Sequence, residues 1–524
     1  MRVEILVGMR ILNLSVLLLL GAFSVVGVMS QANENRYIPD EVLVKFERSA
    51  AGASSAARVT DNGARVLEKF DDLEWQRVRI PRGMSVDAAI EKYRKLEGVV
   101  HVQPNFYYYL QVTPNDPRFP EAGMWGLSKI SAPAAWDLTT GSPSVVVADI
   151  DTGMRYTHED LAANAWVNPG EIAANGLDDD NNGFVDDVYG YDFRFNDPDP
   201  MDEVTGFGGH GSHTAGTIGA VGNNSVGVVG INWNVKIMAI KIYSPSGTDT
   251  TSAMLIAAYQ YVLMMKNRGV NIRVTNNSYG GCNEACGYDQ ATRDAIDAMG
   301  DAGILNVFAA GNSGTNNEVT PHFPSNYPSP SILAVTASDQ NDNRVFNFGA
   351  VSVDIGAPGV NILSTISSSN TAYGQKNGTS MATPHATGAA ALLVAHNPGL
   401  SVPSLKATLM NSVDVLPNWN GVVKSGGRLN VLRALQTPTV CNFNLSSQTI
   451  NARTKGGIYT IGMTVAPNCD YSVKSNANWI KVMGPDTGSG NGSVSIRVTY
   501  NTRISRVGTV TIGGQTVTVN QSRP

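Results

Sequence analysis

The sequence has a small net charge and few histidines, and both features limit the functions that it can have. Its 524 residues carry a formal net charge of only −6. We find no basic tract, so no nucleic-acid partner is expected. The chain contains only seven histidines, so each of them is a candidate catalytic or metal-binding residue.

Long hydrophobic runs are also scarce, and the one present lies near the N-terminus. Leu14 to Val28 is almost wholly apolar, arginines precede it, and the small residues Ser30 and Ala32 follow. This pattern predicts a secretory signal over residues 1–32, and therefore a secreted, extracellular protein with no membrane association after cleavage. The alternative is a retained membrane anchor, because the run is long for a signal.

The composition and the secondary-structure pattern of the remaining chain change twice, which indicates three further domains. Residues 33–112 read as a small α+β segment. In residues 113–437, buried strands alternate with helices, which predicts an α/β fold with a parallel sheet covered by helices on both faces. Residues 438–524 are rich in Thr, Val, Ser, Asn and Gly and predict a separate all-β sandwich.

The stretch from Asn377 to His385 leads into a run of small apolar residues that predicts a tightly packed helix. Ser380 would then lie at the helix N-terminus, where free N–H groups favour negative charge. This environment suits a nucleophile whose attack creates an oxyanion. A serine that only caps a buried helix is the alternative.

Three other polar residues lie where strands end or helices begin. Asp151 and Asn312 follow predicted strands, and His210 starts a predicted helix. In a parallel sheet, such positions meet at the carboxyl ends of the strands. A serine becomes a good nucleophile when a histidine takes its proton, and a carboxylate orients that histidine. The order Asp151, His210, Ser380 is the order of the subtilisin triad.

The segment from Pro114 to Leu435 resembles the subtilisin-like serine peptidases, the subtilase family. The resemblance implies a secreted serine endopeptidase in which Asp151 orients His210, His210 is the general acid and base, and Ser380 is the nucleophile. Asn312 and the Ser380 N–H would hold the oxyanion. The alternative is a surface-binding protein whose peptidase domain is inactive. The motifs are Asp151-Thr152-Gly153, His210-Gly211-Ser212-His213, Ala310-Gly311-Asn312 and Gly378-Thr379-Ser380-Met381-Ala382.

Two residues depart from the pattern of the family. Ser212 replaces the usual threonine, which is a mild change. Asp149 stands two residues before Asp151, where an apolar residue is usual. Because side chains two apart share one face of a strand, Asp149 must find a partner or stay protonated.

The resemblance also implies where a protein or peptide substrate binds. Ser278, Tyr279 and Gly280 resemble the segment that pairs with an extended peptide and forms one wall of the main specificity pocket. The other wall resembles Ala309, Ala310 and Gly311. For His322 two places are open, the floor of this pocket and a surface loop.

An acidic run from Asp178 to Asp187 predicts a calcium site. Asp178, Asp180 and Asn182 match the first three ligand positions of a calcium loop, and Asp186 or Asp187 could close the shell. The alternative is a solvated acidic turn. By resemblance, a second site is expected at Asp160 and the loop that contains Asn224.

The four cysteines allow three pairings, and an exported protein is expected to use them as disulfides. Locality favours Cys282–Cys286 and Cys441–Cys469, and unpaired buried thiols are the alternative. The C-terminal part resembles BACON-type immunoglobulin-like modules, which implies a glycan or surface ligand. Trp479 in this part is either a core residue or a ligand platform.

Residues 33–112 resemble the inhibitory propeptide of subtilases, which implies a zymogen whose own propeptide is its inhibitor. A tethered strand has a high effective concentration, so it inhibits well until it is cut. We therefore expect Ser380 to cleave its own chain between about Tyr107 and Asn115. The alternative is a stable N-terminal domain without this role.

Overall fold

The computed structural model describes residues 37–47, 59–60, 63–106, 112–204, 206, 208–281 and 288–523. The predicted signal and the pair Cys282 and Cys286 lie outside these ranges. The chain forms two compact units, 1–110 and 111–524. Among the described helices, none combines the length and the apolar character that a bilayer crossing requires.

Within its described residues, the first unit contains a four-stranded antiparallel sheet in the order β2-β3-β1-β4 and a helix of eight residues. The helix begins after Ser85, whose hydroxyl accepts the Ala88 N–H at 3.2 Å. It ends at Tyr93. The elements are β1 Tyr37–Phe46, β2 Arg65–Phe70, β3 Trp75–Arg79, α1 Val86–Tyr93 and β4 Val99–Phe106, with a 3₁₀ turn at Asp71–Leu73.

The second unit is built on a nine-stranded sheet in the order β14-β15-β11-β10-β9-β8-β5-β7-β6. Its neighbours are parallel except at the β14–β15 edge. A two-stranded ribbon of β12 and β13 lies apart. The strands are β5 Gly141–Asp151, β6 Gly190–Asp192, β7 Asn234–Lys241, β8 Ile272–Asn277, β9 Leu305–Ala309, β10 Ile332–Ser338, β11 Ile355–Pro358, β12 Ile362–Thr365, β13 Tyr373–Lys376, β14 Asp414–Val415 and β15 Gly427–Arg428.

Helices cover both faces of this sheet, as the alternating pattern predicts. Alternate residues of β5 point into two separate cores: Val145 and Val147 pack with α4 and α7, and Val146 and Ala148 pack with α5 and α6. The helices are α2 Trp125–Lys129, α3 Ala132–Trp136, α4 His210–Gly219, α5 Ser252–Asn267, α6 Gln290–Asp301, α7 Thr379–His396, α8 Val402–Asn411 and α9 Val431–Gln436, with 3₁₀ turns at Ala122–Met124 and Pro417–Trp419.

Helix α7 is the central helix, and it is longer than the predicted Ala386–Leu393 segment. Its side chains are buried from Thr379 to Val394. Small residues are required because neighbours approach closely: a Cβ at Gly388 would lie 3.0 Å from Ile231 Cβ. The helix starts at Thr379 because tertiary contacts hold polar residues that have low intrinsic helix propensity.

The C-terminal strands form two sheets, in the orders β16-β18-β22-β20 and β17-β24-β23-β19-β21, around one apolar core. The predicted disulfide joins Cys441 to Cys469. Trp479 packs against the core, and the Arg506 guanidinium lies 4.3 Å from its ring centroid. The strands are β16 Asn444–Leu445, β17 Thr449–Ala452, β18 Gly457–Thr464, β19 Asp470–Ser475, β20 Ile480–Met483, β21 Thr487–Ser489, β22 Gly492–Val498, β23 Arg506–Ile512 and β24 Gln515–Gln521.

A buried ion cluster attaches these strands to the α/β part. The Lys406 side chain on α8 is only 4% exposed, and its Nζ lies 2.7 Å from Asp470 Oδ2 on β19 and 3.3 Å from Asp354 Oδ2. Lys424 Nζ lies 3.2 Å from Asp470 Oδ1. Burial raises the pKa of Asp470, but the charges of Lys406 and Lys424 outweigh it and lower this pKa to about 2.

We predict that Lys406→Met lowers the free energy of unfolding by about 3 kcal/mol, because it leaves buried carboxylates without their closest cation. Urea unfolding measures the loss. Asp470 contributes most above its ordinary pKa of 3.8, so the difference from the unsubstituted protein should shrink as the pH falls toward about 2.

The matched control is Lys474→Met, since Lys474 is 73% exposed and its Nζ lies 3.9 Å from Asp301. Its loss should stay below about 1 kcal/mol, as for other exposed ion pairs. Equal small losses for both variants would contradict a stabilising role of the buried cluster.

Candidate active site

The first contact of the site joins the end of β5 to the start of α4. Asp151 is the last residue of β5, and His210 is the first residue of α4. The chain enters α4 through Gly209, whose φ of 76° lies in the left-handed region that favours glycine. His210 Nδ1 lies 2.7 Å from Asp151 Oδ1, so these two side chains meet directly.

The Asp151 carboxylate controls the charge of the His210 ring. Burial lowers the pKa of His210, but the charge and the hydrogen bond of Asp151 outweigh it, and the pKa is raised above its ordinary 6.5. Asp151 Oδ1 also accepts the Thr152 N–H at 2.7 Å. The contact therefore fixes the ring orientation and stabilises the imidazolium form.

Asp202 holds the strand end and the helix start together. Its Oδ1 accepts the Thr152 hydroxyl at 2.9 Å and the Gly209 N–H at 3.0 Å. Its Oδ2 accepts the N–H and the hydroxyl of Ser212, at 2.9 and 2.7 Å. Ser212, the serine that replaces the usual threonine, uses its hydroxyl in this contact. Burial raises the pKa of Asp202 to about 6.

Ser380 is the second residue of α7, as the sequence predicts for a helix start. Pro384, four residues later, has no N–H to donate to the Ser380 carbonyl. The Ser278 hydroxyl donates to that carbonyl instead, at 3.0 Å. In return the Ser380 hydroxyl donates to the Ser278 carbonyl at 2.9 Å. In the described part of the chain, no hydrogen bond joins Ser380 Oγ to His210, a pair that often tightens only with substrate present.

Asn312 is anchored to the start of α7 by its side-chain oxygen. This oxygen accepts the Thr379 N–H at 2.8 Å and the Thr379 hydroxyl at 3.0 Å. The Nδ2 amino group has no hydrogen-bond acceptor within the described residues, and Asn312 lines the same cavity as Ser380. The amide therefore presents a donor beside the serine.

One cavity of about 310 Å³ contains these groups together. Five of the six residues predicted to contact substrate line it. The sixth, Ala310, is fully buried and packs in a small core with Trp419. The lining includes Asp151, His210, Ser278, Tyr279, Gly280, Ala309, Gly311, Asn312, His322 and Ser380.

His322 lies in this cavity and not on a surface loop, since it is only 7% exposed. Its ring packs against two glycines on opposite walls. A Cβ at Gly280 would lie 1.8 Å from the ring, and a Cβ at Gly311 would lie 2.7 Å from it. Burial lowers the pKa of His322 to about 4, so the ring is neutral at neutral pH.

The two other histidines near the site are packing residues. His213 Nε2 lies 2.8 Å from the Ile362 carbonyl, and His385 Nδ1 lies 2.8 Å from the Met381 carbonyl. Burial lowers the pKa of His213 to about 3 and that of His385 to about 4. Both rings are therefore neutral.

The sequence matches the profile of the Subtilase family over residues 142–460, which is more than half of the chain. The chain belongs to the subtilase family. Residues 23–105 match a second profile, the fervidolysin N-terminal prodomain. The match to the subtilase profile extends to residue 460, past residue 437, where the peptidase domain is predicted to end. The domain boundaries remain predictions.

Two sequence relatives agree with this assignment. The chain is 30% identical over 402 residues to a thermophilic serine proteinase of Bacillus sp. (strain AK1), covering 76% of this chain and 88% of the relative. It is 34% identical over 326 residues to thermitase of Thermoactinomyces vulgaris, covering 62% and 99%. A solved protease of Pseudoalteromonas arctica is 29% identical, with a TM-score of 0.49, and covers 62% of this chain and 99% of that one. This subtilase is a serine endopeptidase with a prodomain.

Only some of the calcium ligands predicted in the acidic run form one cluster of carboxylates within the described residues. Asp178 and Asp180 meet Glu171, which was not predicted, and one carboxylate oxygen of each lies within 4.8 Å of the others. Asp180 Oδ1 is buried and accepts no hydrogen bond, although Arg268 lies 3.1 Å away. These oxygen donors fit a hard cation such as calcium.

The other predicted ligands of the acidic run have protein partners. The Asp186 carboxylate accepts the N–H groups of Asn175 and Gly176, at 3.1 and 2.9 Å. Asp187 is buried, and it accepts hydrogen bonds from the Tyr261 hydroxyl and from Asn182 Nδ2. Asp178 has protein partners too, because its carboxylate accepts the N–H groups of Asn182 and Gly183, and Asn182 Nδ2 lies 3.3 Å from Asp180 Oδ2.

Asp160 and Asn224, the pair expected by resemblance to form a second site, are in contact. Asn224 Nδ2 donates to Asp160 Oδ1 at 2.8 Å, and the Val228 N–H donates to Oδ2 at 2.8 Å. Asp116 reaches the same loop, because its Oδ2 accepts the Asn223 N–H at 2.7 Å. Asp116 Oδ1 is buried without a hydrogen-bond partner in the described chain, so this carboxylate also fits a cation.

Asp202, Glu171 and Asp116 were not among the residues predicted from the sequence. Asp202 lies in a polar loop eight residues before His210, where no periodic pattern distinguishes it. Glu171 precedes the acidic run by seven residues, and Asp116 is more than 40 residues from Asp160. Only Glu171 carried a signal, its closeness to the run of carboxylates.

Proposed function

We propose that this subtilase hydrolyses peptide bonds with Asp151, His210 and Ser380 as its catalytic triad. The observation that carries the proposal is the 2.7 Å contact of His210 Nδ1 with Asp151, in the cavity that also contains Ser380 and Asn312. It argues against the alternative of an inactive surface-binding protein, because all four groups are present.

In the proposed reaction, His210 takes the proton of Ser380 while the serine attacks the scissile carbonyl. The Ser380 hydroxyl must first leave the Ser278 carbonyl and turn toward His210. The Asn312 amino group and the Ser380 N–H then stabilise the oxyanion. His210 next protonates the leaving amine, and water hydrolyses the acyl-enzyme by the same route.

The substrate is proposed to bind as an extended peptide along Ser278 to Gly280. Its side chain before the scissile bond would enter between this segment and the Ala309–Gly311 segment. The His322 ring already occupies space between Gly280 and Gly311. We therefore infer a preference for small side chains at this position.

We further propose that the protein is a secreted, autoprocessed zymogen. The prodomain match over residues 23–105 and the folded α+β unit support the inhibitory segment. The proposed cleavage between Tyr107 and Asn115 falls partly outside the described residues. The proposed secretory signal over residues 1–32 lies wholly outside them.

Calcium is proposed to stabilise the folded state at two places. Glu171, Asp178 and Asp180 would hold one ion, and Asp116 and Asp160 would hold the other. Both sets offer carboxylate oxygens, and each includes a buried oxygen that accepts no hydrogen bond from the described protein. A cation at each place would neutralise the negative charge of these carboxylates, and burial of that charge is otherwise unfavourable.

We expect Ser380→Ala to lower turnover on the order of a millionfold, the loss that the same change causes in subtilisin. The variant should also keep its N-terminal segment, because cleavage needs the same serine. Peptide hydrolysis and the mass of the purified protein are measured after expression in a protease-free system.

The matched control is Ser369→Ala, which removes an exposed hydroxyl outside the cavity. This control should hydrolyse peptides and lose its N-terminal segment as the unsubstituted protein does. It should also react with a fluorophosphonate at Ser380. Two results would refute the assignments: a fully active Ser380→Ala protein, or equal loss of the N-terminal segment with and without Ser380.

We predict that excess chelator lowers the melting temperature, since an ion that binds only the folded protein adds about 2.7 kcal/mol at a hundredfold excess over Kd. Asp180→Asn should bind one calcium ion fewer by elemental analysis. Asp179→Asn removes the same charge from the same run, outside the Glu171 group, and should bind as before. An unchanged melting temperature in chelator, with no calcium bound, would disprove the proposal.

His322→Ala should widen the specificity pocket. We expect the ratio of kcat/KM for a peptide with phenylalanine before the scissile bond to that for one with alanine to rise about tenfold or more. Ser325→Ala is the control, because it removes only the hydroxyl 3.3 Å from His322 Nδ1. An unchanged ratio in a folded His322→Ala protein would show that the ring does not limit the pocket.

A further inference from the structure

Asp149 is a second buried acid beneath the site, and the proposed reaction does not use it. It is 2% exposed and lies on the same face of β5 as Asp151. Its Oδ1 accepts a hydrogen bond from Asn276 Nδ2 at 2.8 Å. Its Oδ2 lies 2.9 Å from the Thr214 hydroxyl on α4.

The contacts of Thr214 are compatible with a proton on Asp149. A hydroxyl has one hydrogen, and Thr214 Oγ1 lies within donor distance of the Gly211 carbonyl, at 2.9 Å. With that hydrogen on the carbonyl, the contact between Thr214 and Asp149 requires a proton from the acid. Every polar atom of the group then has a partner, so a protonated Asp149 is compatible with deep burial.

The charged groups around Asp149 also oppose its ionisation. Asp151 on β5 and Asp202 before α4 are both acidic, and burial followed by the charge of Asp151 raises the pKa of Asp149 well above its ordinary value. The nearby cations are engaged elsewhere: His210 contacts Asp151, and Lys241 on β7 pairs with Asp192 and Glu203. Within the described part of the chain, no cation therefore pairs with an ionised Asp149.

Asn276 connects Asp149 to Ser380 through further hydrogen bonds. Its Nδ2 also donates to Ser278 Oγ at 3.0 Å, and its Oδ1 accepts the Thr387 hydroxyl of α7 at 3.0 Å. Ser278 Oγ donates in turn to the Ser380 carbonyl. The buried chain of hydrogen bonds thus runs from α4 through β5 and β8 to α7.

We propose that Asp149, in its protonated form, is a positioning residue that sets the helix of His210 relative to the helix of Ser380. The inference rests on the proposed function, because it assumes that these two residues react together. An apolar residue at this position would leave Asn276 Nδ2 and Thr214 without this shared partner. Asp149 therefore acts through Thr214 and Asn276, and it does not touch substrate.

Asp149→Asn tests the protonation state because asparagine has the same shape and no charge. Its oxygen can accept from Asn276 and its amino group can donate to Thr214. We expect kcat/KM within about twofold of the unsubstituted protein, and an acidic limb of the pH profile at the same pH. If Asp149 is ionised, removing its charge lowers the pKa of His210 and moves this limb to lower pH, which would overturn the proposal.

Asp149→Leu tests the positioning role. We expect kcat to fall about tenfold or more, with a smaller change in KM, because a displaced reacting pair slows the chemical step. A folded Asp149→Leu protein with unchanged kcat would overturn the proposal. If this variant does not fold, the difference infrared spectrum between unsubstituted and Asp149→Asn proteins decides at neutral pH: a protonated-carboxyl band supports the proposal, and a carboxylate band contradicts it.

Labelling with a fluorophosphonate separates this inference from the proposed function. If the triad assignment is wrong, the unsubstituted protein is not labelled at Ser380. If only the Asp149 inference is wrong, the unsubstituted protein and Asp149→Asn are both labelled at Ser380, while the pH limb or the infrared band differs from the expectation.

Discussion

The hydrogen bond between Asp151 and His210 requires a strand and a helix from distant parts of the sequence to end and begin at one point. Much of the surrounding structure serves this requirement. Gly209 turns the chain into α4, and Asp202 binds the backbone on both sides of His210 as well as Thr152. On the other side, the missing N–H of Pro384 leaves the Ser380 carbonyl open to Ser278, which joins α7 to the strand edge. The site is therefore held by contacts between element ends.

Burial raises the pKa of each buried acid in this chain, and the net shift depends on whether a cation is near. Asp149 and Asp202 are buried among hydrogen-bond donors and other acids, and their pKa values are raised. Asp470 is also buried, but Lys406 and Lys424 contact it, and its pKa is lowered. The first two acids connect elements of the α/β part. Asp149 is proposed to be uncharged, whereas Asp202, with a pKa of about 6, is mostly ionised at neutral pH and adds charge near His210. The third attaches the C-terminal sheets through charge, which makes that attachment sensitive to pH.

Much of the fold could be predicted from the sequence because its signals are local. The buried strand before Asp151 and the small-residue helix after Ser380 are visible as apolar runs, and the order of the motifs names the family. Ser380 was correctly expected at the start of α7, but the contacts that hold Thr379 and Ser380 in helix are tertiary and could not be predicted from propensity. Ala310 was expected in the substrate pocket, but its side chain packs in the core with Trp419, because alternate residues at a strand end face opposite sides.

The sequence by itself determined the fold class, the family and the residues expected to form the triad, because each depends on residue types within one short segment. Only the tertiary structure decided the partners of those residues. Asp202 and Glu171 gain their contacts from segments that fold back on them. His322 becomes a pocket residue because glycines from the loops after β8 and β9 approach its ring. The proposed protonation of Asp149 rests on Thr214 and Asn276, which lie more than 60 and 120 residues away in sequence and meet it only across the folded sheet.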